Sequence, residues 1–162
     1  MIVHARGGRN ARSGAGRAPA RRLAFRGRQD FSNREAGPGV QVLIVEQDAD
    51  LARIWAGFLT RQGLVCTEVA SVAEAYEALR RQSFAAIVLD MEFPEGGALE
   101  VADFATYRNP EVPIIAVTAR GFFSDSAIFE LVPNARGLLR SPARLEDMAA
   151  LIQHYGTRQA RT

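Results

Sequence analysis

From Val40 onward the chain alternates short apolar runs with segments whose apolar residues recur at helical spacing, five times in succession. Val42-Leu43-Ile44-Val45 is apolar at every position, as suits a strand covered on both faces. Leu51, Ile54, Trp55, Phe58 and Leu59 then follow at helical spacing, and Gly63 closes that helix. Leu64 to Val69 is the second strand. Ser71 and Glu74 form a capping box that opens a helix carrying Val72, Ala75 and Leu79 on one face. The third strand is Ala85 to Leu89, ending at Asp90. A loop with Pro94, Gly96 and Gly97 leads to a helix from about Leu99 to Tyr107. Pro113 to Val117 is the fourth strand, and Ser124 to Leu131 a short helix stopped by Pro133. Gly137 to Leu139 is a short fifth strand, and Pro142 to Tyr155 the last helix. Such alternation dictates a parallel sheet with helices on both faces. Five units suit a flavodoxin-like doubly wound α/β fold with strand order 2-1-3-4-5.

In that architecture ligands gather at the carboxyl ends of the strands. Glu46, Asp90, Thr118 and Ser141 stand there, after the first, third, fourth and fifth strands. Acids grouped at strand ends can hold a hard cation such as Mg²⁺. A carboxylate beside that cation could accept a phosphoryl group as a nucleophile. Asp90 is the candidate acceptor. Alone it would read as a turn former; with Glu46 and Thr118 at neighbouring strand ends the functional reading gains.

Charge divides the chain. Residues 1–39 hold nine Arg against Asp30 and Glu35, while the remaining eleven Arg meet sixteen acids. The sparse apolar residues of this Arg/Gly-rich arm cannot build a core, so it is expected to be disordered. A plain extension, a basic tether for nucleic acid and a transit segment all fit its composition, the first best. The globular part is expected over 40–157, with 158–162 as a tail. Cys66 is the single cysteine, so no intrachain disulfide can form, in keeping with a reducing compartment. It reads as a small buried hydrophobe, and Trp55 as core. His4 and His154 lack company that would make them ligands or catalysts. No Gly-rich phosphate loop, zinc spacing or nucleophile–base pair is present, so no enzyme is expected. No apolar stretch approaches a membrane span, and the expected location is the cytoplasm.

Four segments in order resemble a two-component response-regulator receiver domain: Val-Leu-Ile-Val-Glu46-Gln47-Asp48, Ala-Ile-Val-Leu-Asp90-Met-Glu-Phe-Pro94, Val117-Thr118-Ala119 and Ser141-Pro142. The resemblance covers residues 41–155. It implies that Asp90 is the phosphorylated aspartate, that Glu46 binds Mg²⁺, that Glu92 offers the metal its backbone carbonyl, and that Thr118 is the switch residue. It also implies a histidine kinase or phosphotransfer protein as donor. Output then passes through protein contacts of the fourth helix, fifth strand and fifth helix, with a homodimer as one form. Only seven residues follow Tyr155, too few for an output domain. Three positions depart from the family pattern. Gln47 replaces the second acid and weakens the expected cation hold. Ser141 stands at the position of the family's lysine, and all 20 basic residues of this chain are Arg. Arg140 is adjacent, but a shift of one residue reverses the side-chain face, and Arg is no simple substitute for Lys. Leu138 stands at the switch aromatic. The competing expectation is therefore a pseudo-receiver, an interaction or dimerisation module that works without phosphorylation. Nucleic-acid binding through the arm ranks third. The resemblance suggests a cis Ser141–Pro142 bond, and the residues alone leave it open.

Overall fold

A computed structural model describes residues 39–119 and 124–159. Expectations for residues 1–38 lie outside the described residues. Strand β1 (Gln41–Val45) is followed by helix α1 (Ala49–Arg61), β2 (Val65–Val69), α2 (Val72–Arg81) and β3 (Ala86–Asp90). A 3-10 turn at Pro94–Gly96 then leads into α3 (Gly97–Arg108), β4 (Ile114–Thr118), α4 (Asp125–Leu131), β5 (Ala135–Arg140) and α5 (Leu145–Gln159). The strands form one sheet in the order β2-β1-β3-β4-β5, and every pairing is parallel. This is the flavodoxin-like fold expected from the alternation.

Side chains one residue apart on a strand leave on opposite faces, and the core divides accordingly. Leu43, Val45, Ile87, Leu89, Ile114 and Ala116 face α2, α3 and α4, against Ala75, Leu79, Val101, Ala105 and Ile128. Val42, Ile44, Ala86, Val88, Ile115 and Val117 face α1 and α5, against Trp55, Leu59, Met148 and Ile152. The continuous apolar strands are thus explained, since both faces are covered. Trp55 is buried to 2% exposure in the second layer, as its helical spacing required.

The helix starts follow local chemistry. Asp48 caps α1, its carboxylate accepting from the N–H groups of Asp50 and Leu51. Ser71 caps α2 by accepting from Glu74 N, while Glu74 Oε2 reaches back to the N–H of Ala70. That second bond lands one residue before the cap itself. Gly63, at φ 85, ends the α1 connection in a left-handed conformation that glycine adopts without strain.

Three elements differ from the sequence reading by more than one residue. α3 begins at Gly97 rather than Leu99. β5 spans Ala135–Arg140, longer than the three apolar residues suggested, because a bulge skips Arg136 between the Ile114–Ala135 and Ile115–Gly137 pairs. α5 starts at Leu145 rather than Pro142 and continues to Gln159 rather than ending at Tyr155. The Ser141–Pro142 peptide bond between β5 and α5 is cis.

Candidate functional site

The strand register brings the acids together. Val45 pairs with Leu89 across β1 and β3, so Glu46 and Asp90 occupy the next rung. Both follow the alternation of the α1/α5 face. Glu46 is 5% exposed, and its Oε1 accepts the Asp48 N–H at 2.9 Å. Burial raises its carboxyl above the ordinary range, and the neighbouring charge of Asp90 adds to the rise. Asp90 is half-buried at the end of β3, where its Oδ1 accepts the Glu92 N–H at 3.0 Å. Its carboxyl is also raised, first by burial and then by the charge of Glu92, against the lowering effect of that N–H bond. The site therefore holds two carboxylates that resist ionisation at adjoining strand ends.

The remaining positions surround this pair. Gln47 is exposed. The Asp48 carboxylate is engaged in capping α1. Thr118 closes β4 with no exposed surface, and its hydroxyl donates to the Ala119 carbonyl at 3.4 Å. Ser141 follows β5, its N–H bonded to Thr118 O at 2.8 Å, and it continues the face of Leu139, which packs in the α1/α5 layer.

Arg140 is directed by the register to the other face of the sheet from Glu46 and Asp90. It pairs with Thr118 in the sheet and follows the alternation of Leu138, which packs in the opposite core layer. Its guanidinium reaches the Ala119 carbonyl at 3.4 Å and pairs with Asp125 in the first turn of α4. The reversal of face expected from a one-residue offset is what the register produces.

The sequence reading did not identify the Glu92 side chain. Its carboxylate accepts the N–H of Ala119, a contact across 27 residues of chain. Only the juxtaposition of the β3 and β4 ends creates it, so no local signal could have announced it.

Two carboxylates at one strand edge match the charge and oxygen-donor preference of a hard divalent cation. Each already commits one oxygen to a backbone N–H. No group of three or more His, Cys, Asp or Glu placed to hold a metal occurs among the described residues. The donor set fits a weakly held Mg²⁺ that would keep several waters, with Glu46 and Asp90 as side-chain ligands.

A family model for the response regulator receiver domain matches residues 42–153. The response regulator protein PilR of Pseudomonas aeruginosa is 30% identical over 112 residues, 69% of this chain and 25% of that protein. The response regulator receiver protein CpdR of Brucella abortus is 31% identical over 78 residues, 48% of this chain and 65% of that protein. The chain thus spans less than two thirds of the length of these relatives. Among solved structures, a CheY-like receiver domain protein from Methanospirillum hungatei superposes with TM-score 0.67 at 21% identity, covering 76% of this chain and 98% of that one. The receiver domain of a Pseudomonas aeruginosa sensor histidine kinase, solved with a magnesium ion in its active site cleft, gives TM-score 0.64 at 22% identity, covering 74% of this chain and 98% of that one.

Proposed function

The chain belongs to the response regulator receiver domain family, and from that premise we propose that it accepts a phosphoryl group on Asp90 in a phosphorelay and signals through protein contacts. The observation that carries this reading is the adjacency of half-buried Asp90 and buried Glu46 at neighbouring strand ends, where the charge of Asp90 opposes ionisation of Glu46 and a cation would relieve it. In the proposed step an Asp90 carboxylate oxygen attacks the phosphorus of a phosphohistidine on a histidine kinase or phosphotransfer protein. A P–O bond forms and the P–N bond breaks. The imidazole leaves with the bonding pair and takes up a proton, and Asp90 becomes an acyl phosphate. Mg²⁺, when bound, offsets the negative charge of acceptor and phosphoryl group. Glu46 would hold that cation, Glu92 would lend its backbone carbonyl, and Thr118 would turn its hydroxyl toward a phosphoryl oxygen. The protein would act in the cytoplasm as a signalling module. Incubation with a small phosphodonor and Mg²⁺, read by intact mass, tests this. One added phosphoryl group, absent in Asp90→Asn, is the expected result.

Three observations favour a second reading, a pseudo-receiver that binds partners or dimerises without phosphorylation. Gln47 contributes no charge, Ser141 stands where the family places lysine, and Arg140 is directed to α4. Well-folded protein that gains no mass at any Mg²⁺ level would decide for it.

A further inference from the structure

Ala119 is held at both its backbone N–H and its backbone carbonyl. Its carbonyl accepts from Arg140 Nη1 and from the Thr118 hydroxyl, each at 3.4 Å. Its N–H is taken by the Glu92 carboxylate. Glu92 also donates its own N–H to Asp90 Oδ1 at 3.0 Å. A single residue therefore links the candidate acceptor to the Ala119 N–H, at the adjoining ends of β3 and β4 where Asp90 pairs with Val117. The Glu92 charge is felt at Asp90, where it opposes ionisation. A backbone N–H aimed at a carboxylate is a strong, charge-assisted donor, and it would serve an anionic oxygen carried on Asp90 equally well.

We propose that the Glu92 carboxylate is a built-in occupant of the Ala119 N–H, standing where an oxygen of an anion attached to Asp90 would be received, so that loading Asp90 requires Glu92 to leave. This rests on the phosphoryl-acceptor reading above. Glu92 is an exposed side chain, so it can swing into water without opening the core. Its departure frees the Ala119 N–H, while Arg140 still donates to the Ala119 carbonyl and pairs with Asp125 of α4. Glu92 is in this sense a restraint on loading, acting through Ala119, and not a catalytic residue.

The test uses the full chain, ¹⁵N-labelled, as wild type, Glu92→Ala, Glu92→Gln and Asp90→Asn. The probe is fluoroberyllate with Mg²⁺, a tetrahedral mimic of a carboxylate-bound phosphoryl group. Two quantities are read: the Ala119 amide resonance with its hydrogen exchange, and the affinity for the probe. The expected result is a displaced, faster-exchanging Ala119 amide in Glu92→Ala, partly restored in Glu92→Gln, whose side-chain carbonyl can still accept. Fluoroberyllate should bind Glu92→Ala about tenfold more tightly than wild type, the scale of one exposed charge-assisted hydrogen bond, and should not bind Asp90→Asn. An unchanged Ala119 amide in Glu92→Ala would overturn the proposal. So would equal or weaker binding by that variant when wild type binds. Binding by neither, with the amide displaced, would instead sink the phosphoryl reading and the competition with it.

Discussion

At Asp90, burial and charge work against ionisation, and the sign of the consequence can be stated. A carboxyl whose folded pKa lies above its unfolded value contributes stability below the unfolded pKa and loses it as pH rises through the folded one. Asp90 and Glu46 both have raised carboxyls. Each therefore costs stability as pH rises through its raised value. Asp90→Asn should raise the melting temperature at pH 7.5 in metal-free buffer, and the gain should shrink toward pH 4, which thermal unfolding of both proteins at the two pH values would check. Adding Mg²⁺ should stabilise wild type by about 1.4 kcal/mol at ten times its dissociation constant and leave Asp90→Asn nearly unmoved. A second residue-scale prediction concerns the missing cation. Ser141 lies on the face of Glu46 and Asp90, whereas Arg140 is paired with Asp125 on the other side. Ser141→Lys should speed acyl phosphate formation by a small phosphodonor, and Arg140→Lys should not, measured as rates by intact mass.

Among the elements, α2 was the most legible, because its start is written in two residues. Ser71 and Glu74 satisfy N–H groups that would otherwise lack partners. Ser71→Ala should cost about 1 kcal/mol, read as a shift of the urea midpoint at constant slope. β5 was the least legible. Its bulge at Arg136 depends on the neighbouring strand, and Arg136 and Arg140 near its ends break the apolar run that marks a buried strand. Gly137 within it has a tertiary cause. A Cβ there would lie 2.7 Å from a methyl carbon of Leu151, so a larger residue at this position requires the Leu151 side chain to shift. Gly137→Ala should destabilise by about 1–3 kcal/mol through overpacking, with Leu151→Ala in the same chain recovering part of that loss in a double-mutant cycle.

Over the whole described body, one sheet separates two apolar layers, and each layer needs its own helices. Trp55 on α1 is the largest residue of the α1/α5 layer and is almost wholly buried. Trp55→Ala should cost about 3–5 kcal/mol, a large share of the stability of a domain this size. Loss of cooperative unfolding by circular dichroism would register it. No helix among the described residues is long and apolar enough to cross a membrane. Cys66 sits on β2 with its thiol pushed up to about 11 by burial, so it holds little thiolate at neutral pH and fits the packing role read from its neighbours.

Strand and helix identity, the parallel sheet and the gathering of Glu46, Asp90, Thr118 and Ser141 at one edge were determined by the sequence alone. Periodicity and capping are local properties, and strand ends fall at the same edge of any parallel sheet. What the tertiary structure decided is the set of contacts between those ends. Whether Arg140 faced the acids or α4 depended on the β4–β5 register, and the register placed it toward Asp125. Whether Glu92 stayed in solvent or took the Ala119 N–H depended on how near two loops come after 27 intervening residues. Such contacts follow from packing across the sheet, which no spacing along the chain encodes.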